Sequence, residues 1–250
     1  MVARVTTYGE LLAASQRHPM IRYDVAPDAQ IAGWQLAGAV AYARFHPTHG
    51  RYVTILGRED GVVALLDTPE VRELLFGDGR VGGLTVPVDV FPEVARRFTV
   101  RRGHDWEWMS TTQAPAVQSA EDRLIELGPE AEAELHALLQ EHNPRTEGAP
   151  FVRSPQRWIG VRDGARLVAC GCAEPNAAGY PVLSGITVDP AHRGRGLGAA
   201  VTAALTRAAV AEAGVCTLGM YSDTPHARDI YHRLGYVTGA AISSRIVQRR

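Results

Sequence analysis

Apolar and polar positions along the chain repeat with two periods, one near two and one near three and a half, and the changes between them mark the elements. In the first half, Trp34 to Arg44, Tyr52 to Leu56 and Val62 to Leu66 read as consecutive strands joined by glycine-containing turns. Pro69 to Phe76 predicts a short helix, Leu84 to Val88 a strand, and Pro92 to Phe98 another short helix. Asp105-Trp-Glu-Trp-Met109 alternates, which puts Trp106 and Trp108 on one face, a pattern that core strands share with aromatic-lined pockets. Ser110 to Val117, rich in Thr, Pro and Ala, reads as a linker.

Beyond the linker, Arg123 to Leu127 alternates as a short strand. Pro129 to His142 carries Leu135, Leu138 and Leu139 as the apolar stripe of a helix that Pro129 opens. Arg157 to Val161 and Arg166 to Ala173 predict a hairpin around Asp163-Gly164, and Tyr180 to Val188 a further strand. Leu197 to Ala213 has helical spacing and stops at Gly214. Val215 to Tyr221 is a strand. Thr224 and Pro225 suit the cap and first position of another helix, and a final strand, Tyr236 to Val247, is expected to close this second domain.

At 250 residues, 46% of them hydrophobic, the chain has room for two modest domains, with boundaries expected at 1–112 and 119–250. A formal net charge of −1 with both signs interspersed gives no reason to expect a nucleic-acid or membrane-surface partner. Only Gln248-Arg-Arg250 is locally basic, and it reads as a solvated tail. Neither a long apolar span nor a secretory pattern is visible, so a cytoplasmic protein is expected. Cys170, Cys172 and Cys216 lie in apolar strands and read as reduced, structural thiols. The histidines show no metal-ligand spacing, and no metal is expected.

The chemistry concentrates in Val182-Leu-Ser-Gly-Ile-Thr-Val-Asp-Pro-Ala-His-Arg-Gly-Arg-Gly-Leu-Gly-Ala-Ala200: a strand, a proline turn, a glycine-rich loop, then a helix. Gly194, Gly196 and Gly198 allow the backbone to approach a ligand closely, and the helix start offers unpaired N–H groups to an anion. Arg193 and Arg195 add positive charge. A P-loop would need Lys followed by Ser or Thr where Ala199 and Ala200 stand. The Gly194-x-Gly196-x-x-Ala199 spacing matches a dinucleotide fingerprint formally. However, Asp189 to Arg193 intervene between strand and loop, and the next strand ends without a carboxylate before Asp223, which argues against a nicotinamide site.

The spacing Arg193-x-x-Gly196-x-Gly198, after Val188-Asp189-Pro190, resembles the coenzyme motif of the GCN5-related N-acetyltransferases. A second signature follows in order: Ala227, Tyr231, Gly235 and Tyr236 fall on its Ala, Tyr, Gly and aromatic positions, with Thr224 in place of the usual Asn. The resemblance covers roughly residues 119 to 250. It implies an α/β (α+β) fold with a mixed central sheet flanked by helices, and acetyl-CoA as co-substrate. The element order of residues 1–112 echoes the second half, so that half is expected to be a smaller α/β domain, a degenerate, non-catalytic version of the same fold. The run Gly77 to Gly83 is the nearest thing to a loop there and reads as a surface loop.

The resemblance also implies roles. Backbone amides of Ile186, Thr187 and Val188 would bind the pantetheine arm and polarise the thioester. Arg193, Gly194, Arg195, Gly196, Leu197, Gly198 and Ala199 would hold the pyrophosphate, and the Thr224 hydroxyl would replace an amide contact. Tyr231 would be the general acid on the leaving thiolate. The positions that commonly carry the general base fall on Val182 and Gly219, neither of which takes a proton; Glu174, Asp223, or water held by Ser184 or Tyr221 are the substitutes. The function expected is acetyl transfer to a primary amine of a small molecule or protein, with the first half forming part of the acceptor wall. A homodimer is compatible with this reading. The rival is a non-catalytic acyl-CoA-binding sensor or interaction protein.

Overall fold

The structure, a computed structural model, describes residues 1–46, 50–77, 82–153 and 155–250. In chain order the first elements are β1 (Ala3–Thr7), α1 (Tyr8–Ala14), α2 (Pro19–Asp24), β2 (Gln30–Leu36), β3 (Ala39–His46), β4 (Gly50–Gly57), α3 (Glu59–Leu66), α4 (Pro69–Phe76), β5 (Gly82–Pro87), α5 (Phe91–Arg97) and β6 (Phe98–Thr111). They are followed by β7 (Ile125–Leu127), α6 (Glu132–His142), β8 (Arg157–Asp163), β9 (Arg166–Pro175), β10 (Pro181–Val188), α7 (Leu197–Ala213), β11 (Cys216–Tyr221), α8 (Pro225–Arg233) and β12 (Val237–Arg249). The chain divides into two compact units. One holds Met1–Trp108, Tyr221–Asp223 and Thr238–Arg250; the other holds Met109–Met220 and Thr224–Val237.

In the first unit β1, β2, β3 and β4 pair antiparallel in that order, and β4 then pairs parallel with β5 through α3 and α4. One apolar cluster joins Val53, Ile55, Val62, Leu65, Leu84 and Phe98; another joins Val5, Leu11, Ile21, Tyr42 and Trp108. Trp34 to Arg44 is two strands, turning at Ala37 and Gly38, whose φ values of 49° and 77° build the tight reversal. Val62 to Leu66 is helix, not strand. A five-residue apolar run does not reveal its own period, but Glu59 and Asp60 in the first turn and the burial of Gly61, Val62, Leu65 and Leu66 follow helical spacing. β1, α1 and α2 lie where the hydrophobic pattern predicted nothing. Trp106 and Trp108 pack in the second cluster, their indole N–H groups donating to Ser244 Oγ at 2.8 Å and Asp24 Oδ2 at 2.9 Å, so they are core residues of this unit. Of the glycine run 77 to 83, residues 78–81 lie outside the described residues.

The last strand, expected to close the second half, belongs to the first unit. β12 pairs antiparallel with β5, Arg245 opposite Leu84 and Val247 opposite Gly82. The basic end is therefore strand rather than solvated tail: the Arg249 guanidinium stacks over Phe76, and Arg250 donates to the carbonyls of Ala95 and Arg96.

The second unit repeats the strand order: β7, β8, β9 and β10 antiparallel, then β10 parallel to β11 across α7. The long α7 buries Leu197, Val201, Leu205 and Ala209 on one sheet face with Val161, Leu183, Leu218 and Tyr236. The α6 stripe of Leu135, Leu138 and Leu139 covers the other face with Trp158, Cys170 and Cys172. Each unit is thus a mixed sheet covered by helices. The three cysteines are free and buried, and burial raises every thiol, Cys172 to about 12 and Cys216 to about 11. Among the described residues no helix is long and apolar enough to cross a membrane.

Candidate functional site

The site is built by an interruption in β10. Antiparallel pairing with β9 shifts register between Ser184 and Thr187, and Gly185, at φ +65°, sits in the shift. A Cβ there would lie 2.8 Å from Trp158 Cη2, so both backbone and packing demand glycine. On its other side β10 pairs with β11 only at Val182 and Leu183, although both strands run on. Past Leu183 the backbone of Gly185 to Val188 on that side is released from the ladder, and its polar groups call for another partner. Ile186, Thr187 and Val188 all lie in this released stretch. The Thr187 hydroxyl accepts from Asn143 Nδ2 at 3.1 Å, which ties the strand to the end of α6.

The turn after β10 is pinned by Asp189, whose Oδ1 accepts from the Ala191 amide at 2.9 Å. The loop then opens. Gly194 and Gly196 have φ of 76° and 75°, and a Cβ on either would meet nothing within 4 Å, so these glycines serve the backbone path and not protein packing. Gly196 caps α7 without a side-chain bond, and no acidic residue occupies the first turn. The amides of Leu197, Gly198 and Ala199 therefore form a 17-residue helix's anion-attracting end. Arg193 and Arg195 are exposed beside it, Arg193 Nε donating to the Val188 carbonyl at 3.3 Å.

Tyr231, on α8, is 9% exposed and shares one apolar cluster with Leu197, against which Ile186 and Val188 pack. Burial pushes its phenol up to about 12. Thr224 stands at the N-cap of α8 but makes no side-chain bond to that helix.

The base substitutes fare differently. Glu174 is opposite Val182 on β9, beside the position that usually carries a base. Its carboxylate accepts from Arg153 at 2.8 and 2.9 Å, Gln156 Nε2 at 2.7 Å and Ser184 Oγ at 3.2 Å, which commits the buried carboxylate to an ion pair with a partly exposed arginine and commits Ser184 to it. Tyr221, edge-on to His104, and Asp223 belong to the first unit.

A group that the spacing did not reveal adjoins the loop. His142, Asp189 and His192 come together from α6 and the turn. His142 Nε2 is 4.0 Å from Asp189 Oδ1, and His192 Nδ1 is 3.6 Å from Asp189 Oδ2. The only sequence hint was the pairing of a helix-terminal histidine with an Asp-Pro turn. Among the described residues no group of three or more His, Cys, Asp or Glu has the disposition to hold a metal ion.

Residues 117–236 match the model of the acetyltransferase (GNAT) family. The chain is similar in fold to a GCN5-related N-acetyltransferase from Sphaerobacter thermophilus, with TM-score 0.60 and 12% identity over 100% of this chain and 96% of that one. It is also similar in fold to a GCN5-related N-acetyltransferase from Kribbella flavida (TM-score 0.56, 17% identity, 96% of this chain and 95% of that one covered). A GNAT-family acetyltransferase from Colwellia psychrerythraea gives TM-score 0.56 and 12% identity over 99% and 100%. No curated protein matches the chain.

Proposed function

Because this chain belongs to the GNAT acetyltransferase family through its domain at residues 117–236, we propose that it transfers the acetyl group of acetyl-CoA to a primary amine by direct attack in a ternary complex. The observation that carries this reading is the junction of released strand, open glycine loop and uncapped helix start between Ile186 and Ala199. That junction offers strand amides for a pantetheine arm and helix amides with Arg193 and Arg195 for a pyrophosphate.

In the reaction the amine nitrogen attacks the thioester carbon and the C–S bond breaks. Tyr231, protonated throughout the working range, donates its phenolic proton to the departing thiolate and recovers one from solvent. The ammonium proton leaves through water, since Glu174 is held by Arg153 and Gln156. The free, buried cysteines support a reducing, cytoplasmic setting.

Gly198→Glu tests the site. Its Cβ would meet only Val188 Cγ2, at 3.4 Å, and a carboxylate in the first turn suits the helix dipole, so the variant should fold. The same carboxylate repels a pyrophosphate, and coenzyme A affinity should fall about a hundredfold, about 2.7 kcal/mol. Unchanged affinity would place the coenzyme elsewhere. The commitment of Glu174 favours a second reading, a non-catalytic acyl-CoA binder. Thiol release from acetyl-CoA across polyamines, aminoglycosides, amino acids and peptide lysines separates the two: binding with no release for any acceptor would sink the enzyme reading.

A further inference from the structure

We propose that His142, Asp189 and His192 form a proton-coupled brace on the coenzyme loop, taking up protons when a pyrophosphate binds and so making coenzyme affinity rise as pH falls. The inference rests on the coenzyme site proposed above and adds a positioning role for three residues that site does not use. Asp189 is 4% exposed and is the hinge between β10 and the loop, holding the Ala191 amide; His192, three residues after Asp189, directly precedes Arg193.

Among the described residues, two ring nitrogens beside this hinge are buried without a hydrogen-bond partner, His142 Nε2 and His192 Nδ1. A buried polar atom left unpaired is costly, and both nitrogens face the Asp189 carboxylate, at 4.0 and 3.6 Å. A neutral His192 has one N–H for the two carboxylates at its two nitrogens, and a second proton serves both. Protonated, His142 and His192 are cations beside the Asp189 anion.

The charged groups facing the cluster come from every neighbouring element. Asp163, at the end of β8, meets His192 Nε2 at 3.0 Å, so His192 stands between two carboxylates. Arg166 of β9 reaches Asp189 Oδ2 at 3.1 Å, and the exposed Glu141 of α6 lies 3.6 Å from His142 Nε2. Arg123 and Arg195 act on Asp163 at longer range. His142 also sits in the last turn of α6, where the helix dipole favours a cation. The Ala191 amide first, then Arg166 and the two histidines, hold the Asp189 carboxyl below the usual carboxylate range, so it is an anion wherever histidine titrates.

The sign follows from these charges. With both imidazoles neutral, Asp189 and Asp163 are already countered by Arg166, Arg123 and Arg195. Protonation adds positive charge beside a loop that must receive an anion and draws the turn ahead of Arg193 onto Asp189. A ligand pyrophosphate favours the protonated state, and by reciprocity the protonated state favours the ligand.

Dephospho-coenzyme A is the probe, because it lacks the 3′-phosphate that titrates in the same range. Calorimetry on the full chain from pH 8 to pH 6 should show its Kd tightening about fivefold, at the low end of the usual coupling range. Titration at pH 7 in two buffers of different ionisation enthalpy should show net proton uptake. In His192→Gln and His142→Gln, checked for folding by circular dichroism, the pH slope should shrink while affinity at pH 8 stays within about twofold. A merely structural role would shift affinity equally at all pH values. Zero proton uptake and a flat pH profile in the wild-type chain would overturn the brace even if neither variant folds, as would an unchanged slope in both variants. If dephospho-coenzyme A fails to bind at any pH, the coenzyme site itself is wrong and the brace falls with it.

Discussion

Tyr231 meets Tyr236 edge-on with ring centroids 5.9 Å apart, and the two phenols are set to different tasks. The Tyr236 hydroxyl is spent on Thr206 Oγ1 at 2.7 Å and Cys216 Sγ at 3.1 Å, which makes it a strut inside the core and gives the buried thiol a partner. Tyr231 shares the apolar cluster with Leu197, against which the released strand packs. Burial keeps it protonated, so it is a donor. If it protonates the leaving thiolate, Tyr231→Phe should lower kcat about a hundredfold, the lower end of what a general acid contributes. Coenzyme A affinity should stay nearly constant, because that proton moves only in the transition state. Single-turnover thiol release at saturating acetyl-CoA measures it, and an unchanged rate would make Tyr231 a packing residue. Glu174 makes the complementary point. In the sequence it is an acidic residue near the expected base, but four hydrogen bonds from Arg153, Gln156 and Ser184 leave its oxygens no capacity for the acceptor.

At the scale of elements, the decisive feature is the bulge in β10. Gly185→Ala would place a methyl 2.8 Å from the Trp158 ring at φ +65°. The left-handed backbone costs about 1–2 kcal/mol and overpacking about 1–3 more. Chemical denaturation should therefore show a loss of about 2–5 kcal/mol. A midpoint unchanged within error would mean that β10 does not need this geometry. The glycine loop and α7 were legible because glycine spacing, a proline turn and a helical apolar stripe are local signals. The bulge was not: Gly185 reads as one more small residue in a strand, and only the Trp158 ring across the sheet shows what it makes room for. α3 was missed because Val62 to Leu66 is apolar without a break. The place of β12 was missed because its partner, β5, lies far back in sequence, Val247 facing Gly82, and alternation carries no information about which sheet a strand joins. The histidines of the brace were hidden in the same way, scattered in sequence and gathered by the end of α6 and the Asp189 turn.

Across the whole molecule, the same strand order appears twice, four antiparallel strands followed by a parallel crossover, in β1 to β5 and in β7 to β11. The two crossovers differ where a phosphate would have to bind. After β10 the glycines are open, Arg193 and Arg195 flank them, and the first turn of α7 carries no acid. After β4, Gly57 is jammed against β3, a Cβ meeting Ala39 Cα at 2.5 Å, and α3 begins with Glu59 and Asp60. Two carboxylates at that helix start repel an anion as strongly as the bare amides of α7 attract one. We therefore expect one coenzyme site per chain, in the second unit, with the first unit keeping the topology but not the chemistry. Calorimetric titration of the intact chain with coenzyme A should give a stoichiometry near one, and Gly198→Glu should remove that site without uncovering another. A stoichiometry near two, or residual binding of undiminished affinity in the variant, would show that the Glu59–Asp60 crossover accepts a phosphate after all.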